Sequence, residues 1–418
     1  MGLHVIIAGA GIFGVTAALE LRHRGHAVTL LDPGLAPRPT ASADGSLLPG
    51  HLPGLAESTD ISKVVRLDYG SDLTYLALME QALDGWRRWQ ADWSHDVWTR
   101  SSPSLFHETG VMFLSRGPLV PGAFEHDSLA ALRARGHAVE RLDTAAIRRR
   151  FPAWNAERYP EGYYNPQGGY AESGRVVAAL LARAEAEGVV LQCGVGVASL
   201  IYAGDAVVGM VDTRGAELRG DRVLVAAGTW TPWLLDHLRE DLHSVGQPVF
   251  HLAPADPSPY QSSRFPVFGA DISRTGWYGF PVNREGIVKV ANHGVGRRLD
   301  PTADPREVAA DEEARLRAFL AETFPGLVLA PIVKRRLCVY GDSHDLHFWI
   351  APDPDRPGLV VAAGGSGHGF KFGPILGRLI ADAVEGVDNP ALARFRWRHE
   401  GRGAAGEEEA RSGRDGST

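Results

Sequence analysis

The sequence predicts a mixed α/β chain, α+β overall, in which a nucleotide-binding domain that begins with a βαβ unit is built from separated stretches, with an antiparallel sheet inserted between them. Three observations predict it. A strand, a glycine turn, a helix, a second strand and an acid follow one another within residues 3–34. A second glycine-rich strand-to-helix turn stands at Gly364–Gly369. Between them, from Pro248 to Asn292, short strands dominate without the helices that parallel strands need.

Leu3–Ala8 is short and mostly apolar, as a buried parallel strand should be. Gly9-Ala10-Gly11-Ile12-Phe13-Gly14 follows at once in the G-x-G-x-x-G pattern. A helix is predicted from Ile12 to Arg24, with Val15, Ala18, Leu19 and Leu21 apolar and Gly25 as its stop. The next strand, Ala27–Leu31, ends in Asp32, which follows Gly14 by 18 residues. The expected spacing to a ribose-binding acid is about 20. Gly9 permits the tight turn, Gly11 the approach of a pyrophosphate, and Gly14 close helix–strand packing. The helix N-terminus turns its unpaired N–H groups toward the phosphates. Asp32 can accept both ribose hydroxyls. The motif alone leaves NAD and FAD open, and a βαβ unit without ligand is the alternative.

Leu35 to Asp60 is rich in Pro, Gly, Ser and Ala and reads as a long functional loop. Leu73–Trp89 reads as an amphipathic helix, with Leu76, Leu83 and Trp86 on its stripe. Gly110–Ser115 is a predicted strand and Asp127–Arg135 a short helix. Arg148-Arg149-Arg150 reads as a solvated helix face rather than an anion site. Ser173 is expected to cap a helix that runs to Glu187 and stops at Gly188. Strands follow at 189–192, 195–201 and 206–212, and Cys193 between them reads as buried packing. Arg222–Gly228 is a strand ending in small residues, which lets backbone approach a ligand. Asp311–Phe324 is helical, Leu359–Ala363 a strand, and about Pro374–Val384 the helix after the second glycine turn. Gly401–Thr418 has almost no apolar residue and is expected to be disordered.

This pattern predicts a discontinuous nucleotide domain of residues 1–85, 160–235 and 335–398. A substrate domain is expected at 86–159 and 236–334, and a tail at 399–418. The length of 418 residues favours more than one domain. A net charge of −7 argues against nucleic acid as the main partner. No run approaches 18 apolar residues, and a strand starting at residue 3 predicts no leader and no membrane span. The two cysteines, Cys193 and Cys338, make no disulfide framework, so the cytoplasm is the expected compartment.

The C-terminal third carries the chemistry. It holds Arg336-Leu337-Cys338-Val339-Tyr340, then His347-Phe348-Trp349-Ile350, then Gly364-Gly365-Ser366-Gly367-His368-Gly369-Phe370-Lys371-Phe372. With the N-terminal unit, this resembles the D-amino-acid-oxidase-like flavoproteins. Within them it is most similar to the monomeric sarcosine oxidase branch, which includes N-methyl amino acid, pipecolate and fructosyl amino acid oxidases. The resemblance runs to about residue 390 and is loosest over residues 86–160. It implies a Rossmann-like FAD-binding domain with an inserted antiparallel-sheet substrate domain.

The resemblance also implies roles. Cys338 matches the cysteine that joins FAD covalently through the 8α-methyl carbon. Arg66, in Lys-Val-Val-Arg, and Lys371, in Gly-Phe-Lys-Phe, match the pair that binds the substrate carboxylate. Tyr340 and Tyr278 match tyrosines on the substrate side. Lys289 and His293, in Lys-Val-Ala-Asn-His, match the pair beside the flavin, the lysine being the oxygen activator. Lys63 stands where sarcosine oxidases tend to carry an arginine over the flavin face; a lysine there is more like the fructosyl-amine branch. Val197 matches a backbone contact to adenine. Ile12, Phe13, Ser42, Gly365, Gly367, Phe370 and Lys371 complete the implied cofactor contacts. Glu57-Ser58-Thr59 lacks the histidines of sarcosine oxidases, which leaves substrate size open. No metal site is expected: Asp342, His344 and His347 lack further ligands at a recognisable spacing.

The residues read alone agree. A carboxylate-bearing amine needs cations, and planar arginine suits a carboxylate. Its pocket should be apolar with a few polar anchors, as Tyr278, Tyr340 and Trp277 could provide. The expected function is FAD-dependent oxidation of a sarcosine-like secondary amine, giving an imine that hydrolyses, and hydrogen peroxide. Small-molecule amine and oxygen are the expected partners of a monomeric chain. A fructosyl-amino-acid, pipecolate or saccharopine-type oxidase, a dehydrogenase of the same fold, and a non-catalytic dinucleotide sensor are the alternatives.

Overall fold

The strand His4–Ala8 forms where Val5, Ile6 and Ile7 favour an extended backbone, and all three are fully buried. It pairs in parallel with Ala27–Asp32 on one side and Arg222–Val225 on the other. The computed structural model describes residues 2–35, 56–95, 104–398 and Arg411. The complete first sheet has six strands, in the order Trp349–Pro352, Leu359–Ala363, Arg222–Val225, His4–Ala8, Ala27–Asp32, Val190–Cys193. Only the edge strand Trp349–Pro352 runs antiparallel to its neighbour. Three distant parts of the chain therefore make one sheet.

Helices cover this sheet, as parallel connections require. Ile12–His23 packs on Gly373–Glu385 and on Ser173–Ala186. A Cβ at Gly377 would stand 2.4 Å from the Thr16 carbonyl oxygen, so glycine is what permits the first contact. At the first turn Gly9 has φ of 104°, and a Cβ there would lie 2.4 Å from the Ala226 carbonyl oxygen.

The second sheet has nine strands and is antiparallel except where Val267–Ala270 meets Val111–Ser115. Its spine is Leu242–Leu252 paired with Ile332–Ser343, in register from Leu242 opposite Ser343 to His251 opposite Lys334, with a shift before Leu252 meets Ile332. Val288–Asn292 lies on the other side of the spine. Trp154, Phe265, Phe268 and Phe324 fill the core of this sheet with edge-on ring contacts. A small third sheet joins Lys63–Val65, Gly169–Ala171 and Phe106–His107.

Several local expectations need correction. The helix at Leu73 extends to His95, because Trp89 and Trp93 continue the apolar stripe of Trp86, with ring centroids 5.2 and 5.7 Å apart along it. Ser173 is not a cap. The helix Ser173–Ala186 takes Glu172 at its N-cap, and the Ser173 hydroxyl donates instead to the Asp60 carbonyl at 2.7 Å. Cys193 is only partly buried, since Val190–Cys193 is an edge strand. The arginines at 148 to 150 do lie at a helix end, and Arg148 and Arg150 pair with Glu157 and Glu140. The strand Ile332–Ser343 runs across residue 335 and pairs in the second sheet, although that number marked the start of the last nucleotide-domain stretch. From Arg336 onward it is buried on both faces, so no period-2 alternation marks it.

Candidate active site

A cavity of about 710 Å³ opens along the carboxyl ends of the parallel strands. Gly9, Gly11, Ile12, Phe13, Asp32, Val197, Gly365 and Phe370 line it. The Ala10 N–H donates to Asp32 Oδ2 at 2.9 Å and the Gly34 N–H to Oδ1 at 2.7 Å. Burial pushes the Asp32 carboxyl up, and those two bonds pull it back. Each oxygen keeps a further lone-pair site for a hydroxyl. Gly11 is the N-cap of Ile12–His23 and offers no side-chain cap, so its first-turn donors face the cavity; Ile12 N–H reaches Ser58 Oγ at 3.2 Å. An anchored acid, a glycine turn too tight for a Cβ at Gly9, and a helix start whose cap residue Gly11 has no side chain fit a dinucleotide.

Some expected cofactor residues stand elsewhere. Gly14 packs on the turn itself, where a Cβ would meet Gly9 O at 1.8 Å. Gly367 and Lys371 line a neighbouring cavity. Cys338 is buried beside Tyr340, Val249 and Ala291. Ser42 lies outside the described residues. Glu57, Ser58, Thr229, Trp230 and Gly341 also line the large cavity, although none of them is among the expected cofactor contacts.

The neighbouring cavity is compact, about 50 Å³, and brings together Lys63, Arg66, Tyr278, His293 and Lys371. Phe113, Val267, Phe268 and Ile272 make its apolar wall. Arg66 sits among the rings of Tyr69, Phe113 and Phe124 at 5.3, 5.5 and 5.4 Å, and donates to the Asp68 carbonyl. Lys371 Nζ lies 4.8 Å from the Tyr69 ring centroid, and Trp86 Nε1 donates to the Lys371 carbonyl at 2.6 Å, fixing its backbone. Lys63 Nζ donates to Cys338 Sγ at 3.6 Å and stands 5.8 Å from the Tyr340 ring.

Burial sets the protonation of this cavity. It lowers Lys63, but Cys338 and Glu57 outweigh it, so the amine is held above its usual value and stays charged. It pushes the Tyr278 phenol up to about 12, against the pull of Lys63, and raises the Tyr340 phenol well above its usual value. Both hydroxyls are therefore donors at any ordinary pH. Burial, with Arg411, Arg66, Lys371 and Lys63 nearby, drives His293 well below the usual imidazole value, so it is neutral.

Lys289 faces a third cavity, of about 490 Å³, with Asp60, Phe280 and Arg336. Its Nζ donates to Asp60 Oδ2 and to the Ser62 carbonyl, both at 2.6 Å. Burial brings the amine down to about 8 against the pull of Asp60. Asp60, unremarked in the sequence, is held well below the carboxylate range: burial would raise it, but Lys289, His251 and Arg336 prevail. A signal was there to find. The chain has only four lysines, at positions 63, 289, 334 and 371, and the rest of its 43 basic side chains are arginine. Three of the four are buried around these cavities; Lys334 is exposed. Lysine shifts its charge state on burial where arginine does not.

Arg411, the described residue of the tail, donates to the Gly294 carbonyl at 2.8 Å and to the Asp342 carboxylate, with its guanidinium 5.6 Å from the Tyr340 ring.

A parallel sheet with a dinucleotide cavity at its carboxyl edge, joined to a cation-lined pocket on a second sheet, defines a dinucleotide-dependent oxidoreductase. The chain belongs to the FAD dependent oxidoreductase family (DAO), whose model matches residues 4–383, and is an FAD-dependent oxidoreductase of the amine and amino acid oxidase kind. It is 27% identical over 383 residues to a monomeric sarcosine oxidase of Bacillus sp. (strain B-0618), covering 90% of each chain. It is 26% identical over 389 residues to N-methyl-L-tryptophan oxidase of Citrobacter koseri, covering 92% of this chain and 95% of the relative. In fold it matches the fructosamine oxidase Amadoriase II of Aspergillus fumigatus, with a TM-score of 0.75 at 23% identity over 95% of this chain and 89% of that one. Glycine oxidase from Geobacillus kaustophilus gives a TM-score of 0.77 at 20% identity, over 96% and 99%. Among the described residues no helix is long and apolar enough to cross a membrane, and no group of three or more His, Cys, Asp or Glu could hold a metal ion.

Proposed function

We propose that the protein oxidises the C–N bond of a small carboxylate-bearing secondary amine of the sarcosine kind, releasing an imine that hydrolyses, and hydrogen peroxide. The observation that carries this reading is the compact, aromatic-walled cavity with three buried cations, Lys63, Arg66 and Lys371. Their guanidinium and ammonium donors line one cavity, where the carboxylate of a substrate can take charge-assisted hydrogen bonds. FAD, when bound, takes up the hydride equivalent and delivers the electrons to oxygen.

The chain's own residues bind and orient. Arg66 and Lys371 hold the carboxylate, Arg66 with its planar donors. Tyr340 hydrogen-bonds to Tyr278, and Tyr278, protonated, presents its hydroxyl to the substrate side. His293, neutral, hydrogen-bonds and adds no charge near the amine. Apolar walls exclude water from the carbon that loses hydrogen. Lys289 supplies a cation where charge develops on oxygen. Cys338 is the point of covalent attachment for FAD, and Lys63 stands over it. We place the chain in the cytoplasm as a monomer.

The test is a peroxide-coupled screen over sarcosine, N-methyl amino acids, pipecolate, proline, saccharopine and fructosyl amino acids. Turnover fastest with a small N-methyl amino acid supports the reading. Preference for a fructosyl amino acid would overturn the substrate class. Flavin reduction by substrate without peroxide would make the protein a dehydrogenase.

A further inference from the structure

We propose that Asp60 is a positioning residue for Lys289: its buried carboxylate holds the ammonium in place and keeps it charged. The inference rests on the oxidase reading above for its consequence, but not for its geometry.

Asp60 and Lys289 are 229 residues apart and meet at 2.6 Å, with both side chains 2% exposed. Asp60 is itself clamped. Its N–H donates to Ser173 Oγ at 3.2 Å, while its carbonyl accepts from Ser173 Oγ at 2.7 Å and from Gly174 N–H at 3.0 Å. Ile61 N–H donates to its Oδ1 at 2.8 Å. This accounts for Ser173, whose hydroxyl serves the loop rather than its helix. The carboxylate is thus fixed by the start of one helix and presented to a strand of the second sheet.

The surroundings say why a carboxylate is needed. His251 lies opposite Lys289 in the sheet register, with Nε2 3.4 Å from Asp60 Oδ1. Arg336, on the next strand, stands 3.8 Å from the same oxygen. Lys63 and Cys338 also act on Lys289, and the Phe280 ring centroid is 4.6 Å from its Nζ. Asp60 is the acid in direct contact with an amine that burial and Lys63 both push toward neutrality. An opposite charge within about 4–6 Å moves an ionisable group by about 1–3 pH units, enough here to decide whether Lys289 is charged at neutral pH. The second acceptor, the Ser62 carbonyl, carries no net charge and can place the amine without holding its proton.

The test uses holoenzyme labelled with [ε-¹³C]lysine. Four lysines give four signals, and Lys289→Met identifies one. In the wild type that signal should titrate near pH 8. In Asp60→Asn, which keeps the shape and one acceptor, the midpoint should fall by about one unit or more. In Asp60→Glu, which keeps the charge, it should stay nearer the wild type. An unchanged midpoint in Asp60→Asn overturns the proposal. So does a midpoint in Asp60→Glu as low as loss of charge would give, which decides the matter if the Asn variant fails to fold. Stopped-flow reoxidation by oxygen, recorded against pH, should move with the midpoint while anaerobic reduction by substrate does not. If the lysine titration moves and reoxidation does not, the Asp60–Lys289 coupling stands and the oxygen role of Lys289 falls.

Discussion

The Lys63 amine donates to Cys338 Sγ across 3.6 Å, joining residues 275 positions apart. One lies on the small third sheet and the other on the spine of the second. Attachment of FAD at Cys338 is expected to survive acid denaturation. The precipitated protein should stay yellow, and Cys338→Ala should release the colour to the supernatant. Colour lost from wild-type protein would remove the covalent link.

Arg66 is expected to bind the carboxylate of substrate or inhibitor. Truncating one partner of a buried charged pair costs about 2–5 kcal/mol. Arg66→Ala should therefore weaken a carboxylate-bearing inhibitor strongly while leaving a neutral analogue nearly unaffected. Equal inhibitor affinity in the two proteins, measured by flavin absorbance titration, would take Arg66 out of the clamp.

Lys289 should govern oxygen and not substrate. Its amine is lowered to about 8, so the charged form is full below that pH and lost above it. Reoxidation of the reduced enzyme should fall as pH rises through 8. Lys289→Met should slow it by about 10²–10³ at pH 7 and abolish the pH dependence. Anaerobic reduction by substrate should change far less. Reoxidation of the variant at the wild-type rate would exclude Lys289 as the activator.

Glu125 offers a stability test away from the chemistry. It is buried, accepts from Ser273 Oγ, and is pushed up to about 7 by burial and by Asp271. A carboxyl whose folded value is raised favours the folded state below its unfolded value of 4.5 and loses that favour as pH rises to about 7. Glu125→Gln should therefore match wild type near pH 4 and be more stable at pH 8, by on the order of 2–3 kcal/mol. Thermal melts at the two pH values measure it. A variant no more stable at pH 8 than wild type would show that Glu125 ionises freely.

The nucleotide unit was legible because its causes are local. The glycines at 9, 11 and 14, the apolar strand before them and Asp32 after them each answer a constraint that acts within one βαβ turn. The spine of the second sheet was not. Ile332–Ser343 mixes Arg336, Asp342 and Ser343 with apolar residues and is buried on both faces beyond Arg336, so no alternation reveals it. Cys338 and Tyr340 carry a chemical motif within it but no strand periodicity.

By itself the sequence determined the α/β class and the glycine turn at Gly9, and it offered the lysines and tyrosines as candidates. It could do so because glycine geometry and side-chain chemistry belong to single residues. Only the tertiary structure decided which charges meet. Asp60 reaches Lys289, Lys63 reaches Cys338, and His293 loses its basicity among Arg66, Lys371 and Lys63. The physical reason is that burial and charge–charge coupling depend on distance in space, and these partners stand on different elements far apart in the chain.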